Sequence, residues 1–444
     1  MNQPPAPSHP VMSAVFLKDQ IVPLFKQKQQ YLDAVKAHGT PLYLVISDVL
    51  TEQAHKFRSV FQAHFPRTRF YYAVKSNPLP DISRILVSQG WGLDVSSGME
   101  LAAALDLGAD DIVFSGPGKT MAELEMAAAH PDRVTLLLDS TGECRRLMAL
   151  LEKNQQPLCA GIRINCQPEG LWQKFGIMPE QLLPLYRDIQ AHPLLECTGL
   201  QFHSSWNMTP DRQIDIICRL GRLLRDMPAD FLKTCRFLDI GGGYWPGKGE
   251  WLVSEDPLRH YHLPAEPLET FAQKITAALK EHILPLTDPC ICFEPGRWIC
   301  SDAMHIIVQV TDKKMADMAI TDAGTNAVGW ERFETDYFPV LNLTRPGLTE
   351  KPCRILGSLC TPHDVWGYAF FGKQIQEGDV LMIPFQGAYT YSLRQTFIKP
   401  LPKDRLWWWP YKEFVNMVRR AAWTTLAVRR AVPANRPPDD RFHR

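Results

Sequence analysis

Eight short runs of β-forming residues recur between positions 69 and 293, each parted from the next by a helical stretch, and this alternation limits the fold more than any other feature of the chain. The runs are Arg69 to Val74, Gly92 to Val95, Asp111 to Phe114, Val134 to Leu138, Cys159 to Ile164, Thr198 to Phe202, Arg236 to Ile240 and Cys290 to Phe293. Each is rich in Val, Ile, Leu, Phe or Tyr and is bounded by Gly, Pro, Asp or Ser. Between them, Met99 to Leu107, Met121 to Ala129 and Arg212 to Arg225 carry helical patterns. Eight strand–helix repeats is the count of a closed (β/α)8 TIM barrel, an α/β fold. A doubly wound open sheet is the competing arrangement.

Beyond about residue 300 the texture changes. Met304 to Thr311, Met318 to Thr321, Lys351 to Leu356 and Asp379 to Ile383 read as strands with turns between them, which predicts a C-terminal β domain. A chain of 444 residues exceeds what one core usually organises. The expected division is an N-terminal arm over 1–45, whose strand-like end joins the β domain, a barrel over 46–303, the β domain over 304–405, and a tail over 406–444. In that tail Trp407, Trp408 and Trp409 precede a basic helical stretch, Tyr411 to Arg430. That helix is expected to pack on its own or a sister subunit rather than on a membrane, with disorder beyond Ala431.

Charge removes several function classes. The 48 basic residues balance 48 acidic ones, so no global field favours nucleic acid. No stretch approaches the ~20 apolar residues of a membrane helix. Met1 to Pro10 lacks the charged-then-apolar pattern of a secretory leader, and the expected compartment is the cytoplasm. The eleven cysteines include no Cys-x-x-Cys pair, which points away from a zinc site and a disulfide framework; no metal is expected.

In barrel enzymes the chemistry sits where strands end. Here Lys75 closes the first strand, Asp94 nears the end of the second, Ser115 and Gly116 follow the third, and Arg163 nears the end of the fifth. His203 follows the sixth, Gly241, Gly242 and Gly243 follow the seventh, and Glu294 to Arg297 follow the eighth. Taken singly, these are ordinary. A lysine after a strand is usually a solvated side chain, a triple glycine a tight turn, and His203 a satisfied core histidine. Taken together, a phosphate cradle, an arginine, a lysine and an acid meet the needs of pyridoxal phosphate: the lysine carries the cofactor, and the acid keeps the pyridine nitrogen protonated.

The sequence Tyr72-Ala73-Val74-Lys75-Ser76-Asn77-Pro78 resembles the cofactor-lysine motif of the fold-type III decarboxylases, which include the ornithine, arginine and diaminopimelate enzymes and are related to alanine racemase. The likeness continues through Gly92 to Glu100, Ser115 to Lys119, Lys174-Phe175-Gly176, Phe202-His203, Leu238 to Gly243 and Glu294 to Arg297. It resumes at Gly357 to Asp364 and at Gly387 to Thr390, spanning roughly residues 40 to 400. What it implies is a pyridoxal-phosphate amino-acid decarboxylase on an alanine-racemase-like barrel. Lys75 would carry the cofactor, Glu294 pair with its pyridine nitrogen and His203 stack on its ring. Gly241, Gly242, Gly243, Arg297 and Tyr389 would hold the phosphate and its surroundings, with Asp94 and Arg163 supporting the pocket. The resemblance also implies a homodimer with shared active sites, in which Cys360 and Asp364 reach across the interface and Cys360 returns a proton to the α-carbon.

Two departures bear on substrate. The residue after the family cysteine is normally acidic in the enzymes that act on diamino acids; here it is Thr361. A distal ammonium buried there would lack a carboxylate, at a cost of several kcal/mol. The pattern Cys360-Thr361-Pro362-His363-Asp364 looks more like the branch that acts on conjugated amino acids, such as citryl-diamino acids in siderophore pathways, than like the polyamine-forming enzymes. Thr361, Asp364 and Tyr389 are therefore the expected substrate contacts. The second departure is Ser204-Ser205-Trp206-Asn207, where relatives often have a Gly-Ser step serving the phosphate. Rival readings are an ornithine, lysine or diaminopimelate decarboxylase, a racemase of the same fold, and a non-catalytic regulator.

Overall fold

A computed structural model of the chain describes residues 10–165, 169–329 and 335–398, together with the backbone of 406–408. Strand β1 (Leu42–Val45) belongs to a second sheet. The next seven, β2 (Thr68–Ala73), β3 (Gly92–Val95), β4 (Ile112–Phe114), β5 (Val134–Leu138), β6 (Leu158–Arg163), β7 (Leu195–Gln201) and β8 (Phe237–Asp239), run parallel in that order. A hairpin of β9 (Glu250–Leu252) and β10 (Tyr261–Leu263) intervenes before β11 (Cys290–Phe293). Strand β11 pairs with β8, Ile291 opposite Leu238, and also with β2, Ile291 opposite Thr68. That double pairing closes the barrel and rules out the open sheet. Helices cover the outside and side chains fill the inside, so a strand such as β5, Val-Thr-Leu-Leu-Leu, is apolar almost throughout.

Short polar caps start the outer helices immediately beyond the strand ends. Ser97 Oγ accepts the Glu100 N–H at 3.2 Å and Ser140 Oγ accepts the Glu143 N–H at 3.1 Å. Thr120 and Glu123 form a reciprocal capping box. Each cap contributes about 1 kcal/mol and fixes where the rim begins. Helix Ser47–Gln62 is held against the barrel by an aromatic cluster in which the Phe61 and Phe293 rings lie 4.3 Å apart.

The remaining strands are β12 (Met304–Met315), β13 (Met318–Thr321), β14 (Leu341–Asn342), β15 (Glu350–Leu356), β16 (Val365–Phe371), β17 (Val380–Ile383) and β18 (Leu406–Trp408). With β1 they form one sheet in the order β13-β15-β16-β14-β17-β12-β1-β18. Strand β1 pairs antiparallel with β12, Leu42 opposite Ile307, and parallel with β18. The sheet thus takes in the start of the stretch set apart above as a tail, while the helical reading of Tyr411 to Arg430 lies outside the described residues.

The N-terminal arm is more than a strand. Helices Ala14–Lys26 and Lys28–His38 precede β1, with Leu17, Ile21, Leu24 and Tyr31 buried in one core with Leu44, Ile307 and Met382. Among the described residues no helix is long and apolar enough to cross a membrane.

Candidate active site

Strand β2 delivers its last residues into a one-turn 3-10 helix, Val74–Ser76, which turns Lys75 toward the barrel mouth. Its Nζ donates to Asp94 Oδ2 at 2.5 Å, and Asp94, fully buried at the end of β3, also accepts a hydrogen bond from Ser115 Oγ. Burial alone would push the Lys75 ammonium toward neutrality. The carboxylates of Asp94 and Glu294 outweigh it and hold the group above the ordinary lysine value.

Glu294 follows β11 and is buried. Burial raises its pKa, but His203, Lys75 and Arg163 overcome that effect and leave it below the usual glutamate value, an ionised carboxylate. Gln201 Nε2 donates to both of its oxygens at 3.3 Å. His203 Nδ1 lies between two groups, 3.2 Å from the Gly242 nitrogen and 3.5 Å from Glu294 Oε2, while Nε2 lies 3.2 Å from Ser205 Oγ. Burial depresses the pKa of this imidazole, so it stands neutral.

The three glycines after β8 pack where no side chain fits. Gly241 and Gly243 have φ of +69° and +80°. A Cβ on Gly241 would lie 2.5 Å from the Phe202 carbonyl oxygen, and one on Gly242 would overlap the carbonyl of Glu294. The N–H of Gly241 donates to Asp239 Oδ1 at 2.8 Å and that of Gly242 to His203, so both are already engaged inside the protein. Of the three, Gly243 lines the cavity. This corrects the expectation that all three N–H groups form the anion cradle: Gly241 and Gly242 set the turn and orient His203.

A cavity of about 410 Å³ opens in front of Lys75, lined by His203, Gly243, Glu294, Arg297 and Tyr389 among others. The Arg297 guanidinium stands 4.2 Å from the Trp245 ring and 4.8 Å from that of Tyr389. Tyr389 comes from the sheet domain; its N–H donates to the Ser76 carbonyl at 2.8 Å, which ties that domain to the turn bearing Lys75. Arg163 does not line the cavity. Its Nη1 donates at 3.1 Å to the carbonyl of Ser115, whose hydroxyl in turn donates to Asp94.

The structure bears on two residues expected from the sheet domain. Cys360 is exposed on the loop between β15 and β16 and is not among the residues lining this cavity, nor is Thr361 beside it. Asp364 does not point outward to a substrate. It is buried, its carboxylate accepting from the Thr325 N–H at 2.7 Å, Thr325 Oγ1 at 3.0 Å and the Leu359 N–H at 2.8 Å. Asp364 is therefore the anchor of the loop that carries Cys360, because all of those bonds stay within its own domain.

The structure adds residues that strand-end reasoning passed over. Trp206, Trp245, Glu250, Thr335 and Asp336 line the cavity, and Trp206, 62% exposed with φ +55°, stacks over Trp245. The departure at Ser204 and Ser205 is resolved locally: Ser204 Oγ donates to Asn207 Oδ1 and Ser205 meets His203. Gln201 and Asp239, at the ends of β7 and β8, flank Glu294.

A cofactor with a pyridine ring and a phosphate fits this set. The amine of Lys75, the ionised and fully buried Glu294, the neutral face of His203 and the Arg297–Gly243 side of the cavity supply a partner for each of its parts. A barrel with a lysine just beyond the end of its first strand and a sheet domain folded against its mouth suits an enzyme that holds its cofactor through a lysine. The family model for the pyridoxal-dependent decarboxylase pyridoxal-binding domain matches residues 49–301, and that for the C-terminal sheet domain of the same enzymes matches 297–387. The chain belongs to the pyridoxal-dependent decarboxylases; it is a carboxy-lyase whose cofactor is pyridoxal phosphate. It is similar to the diaminopimelate decarboxylase of Methanothermobacter thermautotrophicus, 28% identical over 396 residues that cover 83% of this chain and 87% of the relative. It also resembles the 2-[(L-alanin-3-ylcarbamoyl)methyl]-2-hydroxybutanedioate decarboxylase of Staphylococcus aureus, 23% identical over 391 residues covering 82% and 93%. Among solved structures, Helicobacter pylori diaminopimelate decarboxylase complexed with L-lysine superposes with a TM-score of 0.70 at 26% identity, covering 82% of this chain and 90% of that one.

Proposed function

We propose that the enzyme removes the α-carboxylate of an L-amino acid whose distal end is already conjugated, of which a citryl-diamino acid in siderophore biosynthesis is the type example. The observation that carries this reading is Thr361, a neutral hydroxyl on the Cys360 loop where enzymes for charged substrates place an acid. The Staphylococcus aureus relative, by its name a decarboxylase of an amino-acid conjugate, supports it.

When bound, pyridoxal phosphate supplies an electron sink for the bond between Cα and the carboxylate. Lys75 would hold the cofactor covalently and yield its place to the substrate amine. Glu294, kept ionised by its surroundings, would face the pyridine nitrogen, and the neutral His203 would lie flat against the ring. Arg297 and Gly243, with Tyr389 beside them, would take the phosphate. The thiol of Cys360 would donate the proton that takes the place of the departed carboxylate on Cα. Cys360 is exposed on the sheet domain and absent from its own chain's cavity, so in this reading a second copy supplies it and the working unit is a homodimer.

A second reading has one observation in its favour. Glu250 and Asp336 place two carboxylates on the cavity wall, and a distal ammonium of free ornithine, lysine or diaminopimelate would meet them. Carbon dioxide release measured side by side on ornithine, lysine, diaminopimelate and a citryl-diamino acid separates the two. The conjugate is expected to show the highest kcat/KM. Efficient turnover of a free diamino acid, with the conjugate inert, would overturn the proposal in favour of the second reading.

A further inference from the structure

Three carboxylic side chains converge inside the top of the barrel, Asp94, Asp239 and Glu294, and all are buried. Lys75 answers Asp94. Gln201 answers Glu294, and His203 Nδ1 lies 3.5 Å from the same carboxylate. Asp239 has no ion pair among the described residues. Its Oδ1 accepts one N–H, from Gly241, and its Oδ2 is buried with no hydrogen-bond partner.

The strand registers place this residue beside the cofactor acid. Asp239 of β8 lies opposite Gln201 of β7 and opposite Cys292 of β11, and Glu294 is two residues beyond Cys292 on the same strand path. A second orphan lies next to it: Gln201 turns its amide nitrogen to Glu294, and its buried Oε1 finds no donor. An unpaired carboxylate oxygen buried beside an ionised carboxylate costs least when it carries a proton. The titratable groups facing Asp239 are Glu294, Asp94, Cys292 and Tyr244, and each of them, if ionised, would repel a charge there.

We propose that Asp239 is held as a neutral carboxylic acid, and that it is a positioning residue whose proton, on Oδ2, keeps Glu294 ionised and aimed toward the pyridine nitrogen of the cofactor. Burial, and then the charge of Glu294, both favour the protonated form of Asp239, and the registers of β7, β8 and β11 set Glu294 beside it. An O–H donated to a carboxylate favours its ionised form, whereas a second carboxylate in the same place would drive Glu294 toward protonation. One buried acid is thus kept neutral so that its neighbour stays charged.

The test uses the full-length holoenzyme and the variants Asp239→Asn and Asp239→Ala. Infrared difference spectra between wild type and Asp239→Asn at pH 7.5 should show the carbonyl band of a protonated carboxylic acid in the wild type alone. Asp239→Ala should bind pyridoxal phosphate about tenfold more weakly, the equivalent of one pKa unit lost at Glu294. Asp239→Asn, which is neutral and can still donate, should recover most of that loss. The infrared arm stands even if the alanine variant fails to fold. Absence of the carboxylic band, an asparagine variant as impaired as the alanine one, or both variants binding the cofactor like wild type would overturn the proposal.

Discussion

Lys75 and Asp94 are joined by a 2.5 Å hydrogen bond at the ends of two neighbouring strands, with Ser115 of the next βα loop holding the other carboxylate oxygen. The amine proposed to carry the cofactor is therefore oriented by the scaffold, not by a flexible loop. The same contact has a chemical consequence. An ammonium is no nucleophile, and Asp94 and Glu294 favour the ammonium form of Lys75.

Asp94→Asn should accordingly shift the pH dependence of cofactor loading. With one of the two carboxylates gone, the Lys75 pKa falls and apoenzyme should take up pyridoxal phosphate at lower pH than wild type. The rate of return of visible absorbance across a pH series measures this; superimposable profiles would argue against the ion pair as the control.

Lys119 and Glu143 form a second buried pair, 2.9 Å apart with both side chains about 1% exposed. The ammonium also donates to the carbonyls of Gly116 and Leu137. Lys119→Met would strand a buried carboxylate, at a cost of about 3–5 kcal/mol. The double variant Lys119→Met/Glu143→Leu should regain much of it. Denaturant unfolding of both variants tests the point, and a single variant within 1 kcal/mol of wild type would contradict it.

The barrel was legible in the sequence because its strands are covered on both faces and must be apolar almost throughout: Val134–Leu138 can hardly be anything else. Helix Ala14–Lys26 was hidden by Pro23, which sits inside it and reads as a breaker. Strand β16 was missed because Gly367 interrupts its run. In the site, Lys75, His203, Glu294 and Arg297 were found because strand ends face the mouth. Asp239 needed the register between β7, β8 and β11, which no linear pattern carries. Asp364 was misjudged for the opposite reason: its motif is legible, but only the bonds to Thr325 and Leu359 reveal that it serves its own loop.

His305 reports on the sheet domain. It is fully buried, its Nδ1 accepts the Phe385 N–H at 3.2 Å, and burial pushes its pKa down to about 4 from 6.5. Because the folded pKa is depressed, the unfolded chain takes up a proton first as pH falls. Stability is retained above pH 6.5 and lost as pH drops from there toward 4, on the order of 3 kcal/mol from this group. His305→Gln should flatten that part of the Tm-against-pH curve relative to wild type. Parallel curves would contradict the assignment.

Cys360→Ala should leave cofactor absorbance intact, since Cys360 does not line the cavity of its own chain, while slowing product formation by about 10²- to 10⁴-fold, the usual contribution of a proton-transfer group. Stopped-flow absorbance combined with product analysis reads both. Full rate with clean amine product would remove Cys360 from the chemistry.

Everything proposed for the site depends on Lys75 carrying the cofactor. Borohydride reduction of the holoenzyme followed by peptide mass mapping tests it most directly. The reduced cofactor is expected on the peptide containing Lys75, with loss of both that adduct and the visible absorbance in Lys75→Ala. Cofactor fixed to a different lysine, or absorbance that survives in Lys75→Ala, would contradict it.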